Sequence, residues 1–186
     1  MNNRGTVTLK TDRLILRKYR IEDSKDMYKN WGTDNEVTKF LSWENHKNIE
    51  ETKRILEYWV SRYESDSFYN WIIELKENNE AIGGIEVVEL DTVKKACEIG
   101  YCLSSKYWNK GIMTEALKKV IEFLFKEVEL EEIYAFHDTR NVASGEVMRK
   151  SNMIYKGTFR NFIIRNIKYD NISAYSITKK EWEDNL

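Results

Sequence analysis

At 186 residues the chain is long enough for one domain with a sizeable core, and two domains would be cramped. Hydrophobic residues at 41% and charged residues at 33% describe an ordinary globular protein, and 30 Lys plus Arg against 31 Asp plus Glu give no basic field for nucleic acid or a membrane surface. No apolar run approaches the ~20 residues of a membrane span, and the start, MNNRGTVTLKTDR, lacks the apolar core of a signal peptide, so the cytoplasm is the expected compartment.

Taken in chain order, Thr6 to Arg17 reads as a strand pair or one bent strand. Glu22 to Trp31 has helical spacing, with Gly32 as its stop, and Asp34 to Leu41 adds a short helix. Asn48, with Glu51 three residues on, has the pattern of a capping box. Thr52, Ile55, Leu56, Trp59 and Tyr63 make that helix's inner stripe. Tyr69 to Leu75 and Ala81 to Leu90 read as a hairpin around Glu77 to Glu80, and Asp91 to Lys95 turns the chain into the next strand.

From Ala96 to Phe125 the period changes within one stretch. Ile99, Tyr101 and Leu103 alternate with Glu98, Gly100 and Cys102, as in a strand. A polar turn, Ser104 to Lys110, ends on Gly111. Met113, Ala116, Leu117, Val120, Ile121 and Leu124 then recur at the spacing of one buried helix face. Such a helix mouth leaves backbone N–H groups without partners and carries a positive dipole end, which suits a phosphate or pyrophosphate.

Beyond it, Glu132 to Phe136 is a short strand, and Asn141 to Ser151 a helix capped by Asn141 with Ala143, Val147 and Met148 inward. Met153 to Phe159 is a strand, Arg160 to Ile164 starts another, Asn166 to Lys168 turns, and Asn171 to Thr178 is the last strand. This order favours one α+β layer, with helices covering a mostly antiparallel sheet. Cys97 and Cys102 fall on opposite faces of one strand and cannot pair. His46 and His137 are too far apart in sequence for zinc-ligand spacing, so no metal is expected.

The string YWNKGIMTEAL, in its strand–turn–helix setting, resembles the acetyl-CoA-binding segment of the GNAT superfamily of N-acetyltransferases. It is closest to the Rim-type branch, which acetylates ribosomal-protein N-termini. The resemblance runs from about Thr8 over nearly the whole chain. It implies a single N-acetyltransferase domain over 1–186 with a three-layer fold: a mixed, mostly antiparallel sheet of about seven strands flanked by about four helices.

It further implies acetyl-CoA as co-substrate, with direct transfer to a primary amine. Asn109, Lys110, Gly111, Ile112, Met113 and Thr114 would hold the pyrophosphate, beside Trp108. Where the family carries Gly and a small residue, this chain has Asn109 and Met113. Tyr101, Cys102 and Leu103 would pair their backbone with pantetheine, Asn141 would shape the helix start along that arm, and Lys150 would meet the adenosine phosphate.

Direct transfer demands a neutral amine, donors for the oxyanion and stabilisation of the departing thiolate. Glu98 is the candidate base: it stands on the central strand between Cys97 and Ile99, and the local string Glu-Ile-x-aromatic-Cys is similar to one that carries a catalytic glutamate in several GNAT enzymes. Its bland alternative is a structural carboxylate. Ser144, in an Asn-x-x-Ser helix start resembling the family's, is the candidate partner of the leaving sulfur, with plain helix capping as its alternative. Trp31, Trp43, Tyr169 and Tyr175 are candidates for the acceptor side. The acceptor is a protein N-terminus or a small molecule such as an amino acid, polyamine or drug. A third reading is a non-catalytic acyl-CoA sensor. The chain is expected to act as a monomer or homodimer.

Overall fold

The computed structural model describes residues 1–164 and 167–185. Eight strands form one sheet in the order β1-β2-β3-β4-β5-β6-β8-β7. They are β1 (Leu9–Lys10), β2 (Leu14–Arg17), β3 (Asn70–Leu75), β4 (Ala81–Asp91), β5 (Ala96–Leu103), β6 (Glu132–Asp138), β7 (Ile154–Ile164) and β8 (Ile167–Thr178). Every neighbouring pair is antiparallel except β5 and β6. That parallel step is the one crossed by a long helix, as a parallel connection requires.

The period switch at Gly111 is real. β5 ends at Leu103 and helix α4 (Ile112–Lys126) begins one residue after Gly111, whose φ is +71°. The α4 stripe packs with Trp71, Ile85, Cys97 and Ile99 on one face of the sheet. Helices α1 (Ser24–Met27), α2 (Asn35–Thr38) and α3 (Ile49–Arg62) lie along the chain before β3. Their Met27, Val37 and Leu56 cluster with Tyr19, Trp31 and Ile72 in a second core, against which Cys102 is partly buried. Cys97 and Cys102 therefore point to opposite faces, and both are free thiols. Helix α5 (Val142–Lys150) follows β6, and α6 (Lys179–Glu183) closes the described chain. Among the described residues no helix is long and apolar enough to cross a membrane.

Some expectations need correction. The sheet has eight strands instead of about seven, because Thr6 to Arg17 supplies two antiparallel strands. β7 is one continuous strand from Ile154 to Ile164, with a register shift between Tyr155 and Gly157 where Gly157 takes φ +143°. The helix expected over Glu22 to Trp31 is a 3-10 turn, one α turn, and then a π turn over Tyr28–Gly32. Asn30 in that π turn donates to the Ala81 carbonyl at 2.8 Å, a tertiary bond that spacing alone does not announce. Ala143 is exposed, and Gly145 is the buried residue of the first turns of α5. The turn expected at Asn166–Lys168 lies in part outside the described residues, and Ile167 and Lys168 belong to β8. The Asn48 cap holds, its side chain accepting from the Glu51 N–H at 2.9 Å, but the expected capping box does not close, since the Glu51 carboxylate accepts from the Lys47 N–H at 2.7 Å.

Arg17 fixes the second core to the sheet. Its guanidinium forks onto Asp23 at 2.8 Å and reaches Glu74 at 2.7 Å, with all three side chains largely buried. The hydrogen bond to Asp23 raises its pKa further, against the effect of burial, so the charge is permanent.

Candidate active site

The site is a fork in the sheet. On one side β5 pairs with β4 along its whole length, from Ala96 opposite Asp91 to Leu103 opposite Gly83. On the other side β6 accompanies it only over Ala96, Cys97 and Glu98, opposite Glu132, Ile133 and Tyr134. β6 then follows β8 as far as Asp138. Past Glu98, β5 therefore has an edge with no strand partner among the described residues.

Backbone alternation says which groups face that edge. The Ser104 N–H donates to the Ile82 carbonyl on β4 at 2.8 Å. Gly100 and Cys102, in phase with Ser104, direct their peptide groups to β4, and Ile99, Tyr101 and Leu103 direct theirs to the open side. A Cβ on Gly83 would run into the Cys102 carbonyl oxygen, which places that oxygen on the β4 side independently. The expectation for Cys102 is thus corrected: its backbone serves β4, and the carbonyl of Ile99, whose N–H closes the β5–β6 ladder, takes its place at the edge. The Leu103 carbonyl already accepts the Trp108 indole N–H at 2.8 Å, so Trp108 staples the loop to the strand end.

The loop at the fork's open end is built from left-handed residues. Asn109 has φ +59° and Gly111 φ +71°. Asn is among the few residues with a side chain that enter this region readily, which is how it replaces a glycine here. Met113, the other departure from the family string, is 4% exposed and belongs to the first core, so its bulk points away from the loop. Ile112 is buried as well, and Thr114 is half-buried. Lys110 is exposed, with its ammonium 5.1 Å from the Tyr107 ring centroid. At Gly111 a Cβ would meet only Arg13 Nη2, at 3.7 Å, among the described residues, so the outer side of the loop is open to close approach. A diphosphate fits such a place: small, open, at a helix N-terminus.

Arg13 was not singled out from the sequence. Its Nη1 donates to the Lys110 carbonyl at 2.9 Å and its Nε to Glu115 Oε2 at 2.6 Å. Glu115 Oε1 accepts from Thr11 Oγ1 at 2.6 Å and from the Arg13 N–H at 3.0 Å. Burial alone would raise the Glu115 pKa, but these donors outweigh it and hold the carboxyl below its ordinary value. No sequence signal marks the set, because its partners are about a hundred residues apart.

At the vertex, Glu98 is 5% exposed on the face that carries Gly100 and Cys102. Glu86, opposite Gly100 and also missed from the sequence, shares that face with Gly84, which is opposite Cys102. The space beside both glycines is filled: a Cβ would meet the Tyr19 hydroxyl at Gly84 and Val88 at Gly100. Burial pushes the Cys102 thiol up to about 12, so it stays protonated at neutral pH.

Across the fork, the Asn141 side chain accepts from the Ser144 N–H at 3.3 Å and caps α5. The Tyr101 hydroxyl lies 3.0 Å from both the Ser144 carbonyl and its Oγ. Burial raises the Tyr101 pKa, so the phenol keeps its proton. Gly145 admits the His137 ring against the helix, since a Cβ there would meet Nε2 at 2.7 Å. Lys150 is exposed at the last residue of α5. Trp31 is fully buried in the second core, Trp43 and Tyr175 are partly buried, and the Tyr169 side chain lies outside the described residues.

A sheet forked beside a glycine loop and a helix mouth is the architecture of a coenzyme A-dependent acyltransferase. The comparisons carry this further. Residues 13–154 match the acetyltransferase (GNAT) domain family, and the chain belongs to that family. It is 30% identical over 171 residues to the uncharacterized N-acetyltransferase YoaA of Bacillus subtilis, covering 92% of this chain and 96% of that one. A crystal structure of a GNAT-family acetyltransferase from Bacillus anthracis superposes with a TM-score of 0.80 at 25% identity, covering 94% of this chain and 99% of the other. Over 100 residues, 54% of this chain and 56% of its counterpart, it is 26% identical to the ribosomal-protein-serine acetyltransferase of Escherichia coli. The protein is a GNAT N-acetyltransferase, with acetyl-CoA as its acetyl donor.

Proposed function

We propose that the acetyl group passes directly to a primary amine, and that the acceptor is the N-terminal α-amino group of a protein in the cytoplasm. Asn109 to Thr114 bind the pyrophosphate, and the free edge of Ile99, Tyr101 and Leu103 binds the pantetheine amides as an added strand would. Acetyl-CoA supplies an activated thioester carbonyl at the fork. The rest of the chemistry belongs to the chain.

The observation that carries the reading is a pair of carboxylates on one face of the sheet at the fork. Glu86 and Glu98 stand on the face that carries Gly84, Gly100 and Cys102. A free α-amino group has a pKa of about 8 and arrives largely as an ammonium ion. Carboxylates on the acceptor face attract it, and one of them, Glu98, takes the proton that must leave before attack. On the opposite side Ser144 Oγ donates a hydrogen bond to the departing sulfur. The Tyr101 hydroxyl, 3.0 Å from both the Ser144 carbonyl and Oγ, keeps its own proton and holds Oγ in place. The E. coli relative, whose name specifies a ribosomal protein, supports a polypeptide acceptor over a free small amine.

The test is thiol release from acetyl-CoA with a panel of N-terminal peptides, free amino acids and polyamines. Turnover with peptides bearing a free α-amino group, and its loss when that group is blocked, is the expected result. Turnover with polyamines or amino acids alone would move the assignment to small-molecule acetylation. Tight CoA binding without release anywhere in the panel would leave a sensor.

A further inference from the structure

We propose that Arg13, seated by Glu115 and Thr11, is a positioning residue for the pyrophosphate: its guanidinium turns the Lys110–Gly111 peptide so that the Gly111 N–H faces the anion. This rests on the reading that Asn109 to Thr114 hold that group.

In a trans peptide unit the C=O and the following N–H point in opposite directions. Arg13 Nη1 holds the Lys110 oxygen at 2.9 Å, so the Gly111 N–H is directed away from Arg13, toward the outer side of the loop. That N–H has no hydrogen-bond partner among the described residues. The unit lies between Asn109 at φ +59° and Gly111 at φ +71°. Glycine tolerates either sign of φ, so nothing intrinsic to Gly111 prevents the peptide from turning over. The guanidinium selects one orientation.

Arg13 can do this only if it is itself held. Its Nε meets Glu115 Oε2 at 2.6 Å, and Glu115 Oε1 is fixed by Thr11 Oγ1 at 2.6 Å and the Arg13 N–H at 3.0 Å. Thr11 closes the β1–β2 turn, its Oγ1 accepting from Leu14 N–H at 3.0 Å. The Thr11 carbonyl in turn accepts from Lys76 Nζ. The loop is thus referenced to the rigid sheet edge, not only to its own helix.

Charge makes a second demand. Glu115 lies in the first turn of α4, where a bare carboxylate would repel an arriving diphosphate. Arg13 at 2.6 Å compensates it. Removing Arg13 therefore does two kinds of damage, a loosened peptide and an exposed negative charge, and the second is relieved by also removing the charge of Glu115.

The experiment measures CoA affinity by calorimetry for wild type, Arg13→Gln, Glu115→Gln and the double variant. Alongside it, kcat/KM is compared for acetyl-CoA and S-acetylpantetheine, which lacks the pyrophosphate. Arg13→Gln should weaken CoA binding by about tenfold, the scale of one charge-assisted hydrogen bond plus an uncompensated charge, and lower the acetyl-CoA to S-acetylpantetheine ratio by a similar factor. The double variant should regain about a third of that loss on a logarithmic scale. If Arg13→Gln unfolds, Arg13→Lys keeps the charge without the fork and should give a smaller change in the same ratio.

An equal fall for both donors, or none, would reduce Arg13 to a structural ion pair and overturn the proposal. So would an Arg13→Gln effect that disappears with dephospho-CoA, since Arg13 would then touch the adenosine phosphate itself. A wild type that uses both donors equally well would instead remove the reading of the loop on which the proposal stands.

Discussion

Substituting Gly84 by alanine probes the packing on the acceptor face through stability. A Cβ there would land inside contact distance of the Tyr19 hydroxyl, while its next neighbours, the Trp71 carbonyl and Tyr19 Cζ, stand at an ordinary 3.4 Å. The phenol has little room to withdraw: Tyr19 is 4% exposed and its ring packs on Trp59 with centroids 4.8 Å apart. Overpacking of this kind costs about 1–3 kcal/mol, reduced by the ~0.5–1 kcal/mol that alanine gains over glycine in a strand. In a Tyr19→Phe background the clash partner is gone and only the gain remains. The cycle should therefore show a coupling of about 2 kcal/mol, visible as a melting difference of about 4–8 °C for a domain of this size. Urea titration of wild type, the two single variants and the double variant measures it. An equal cost of Gly84→Ala in both backgrounds would refute the claim that the Tyr19 hydroxyl covers this glycine.

At the leaving-group side, Ser144→Ala and Tyr101→Phe should each lower kcat, by up to about 10²-fold, the low end for losing a donor to developing charge, with CoA affinity unchanged by calorimetry. A matching loss of affinity would return Ser144 to helix capping. Glu98→Gln should lower kcat/KM by about 10²-fold, the low end for general base help, with the pH–rate profile altered accordingly. An unaltered profile removes Glu98 from the reaction, and the same loss in Glu86→Gln alone would transfer the role. The Glu115 carboxyl, held below its unfolded value of about 4.3, stabilises the fold above that pH and ceases to do so as pH falls through its folded pKa. Glu115→Gln should therefore be less stable than wild type at pH 7, with the gap closing below about pH 4. A gap independent of pH would show that the carboxyl's charge does not matter.

What the sequence discloses and what it conceals divide along sequence distance. β5 and α4 were legible because strand and helix periods are local properties, and the switch between them falls on Gly111. The Asn48 and Asn141 caps were legible for the same reason, each bonding a backbone N–H three residues on. Arg13 was not, since Thr-Asp-Arg before an apolar run carries no mark of a partner at Lys110 or Glu115. Nor was the end of β5–β6 pairing after Glu98: alternation continues unbroken to Leu103 whether or not a neighbour is present. The π turn at Tyr28–Gly32 and the register shift in β7 depend likewise on tertiary bonds. The assignment of backbone groups to the open edge, which exchanges Cys102 for Ile99, needed the register with β4.

The fork itself follows from competition for β6. Seven residues of β6, Glu132 to Asp138, pair with β8, and only three pair with β5. Because β8 continues in register to Ile172 opposite Asp138, β6 leaves β5 once the two directions diverge. The gap is then kept from closing by side chains on its far wall. Gly145 lets His137 pack under α5, and Ser144 is tied to Tyr101, so the helix start stands in the space that further pairing would fill. An unpaired strand edge is tolerated when water or a ligand satisfies its peptide groups, each bond made being worth about 0.5–1.5 kcal/mol net. A donor with amides along its arm repeats the strand that is missing. In the proposed function, affinity for the arm and access for the amine both follow from one structural fact, that the central strand completes its pairing on only one side.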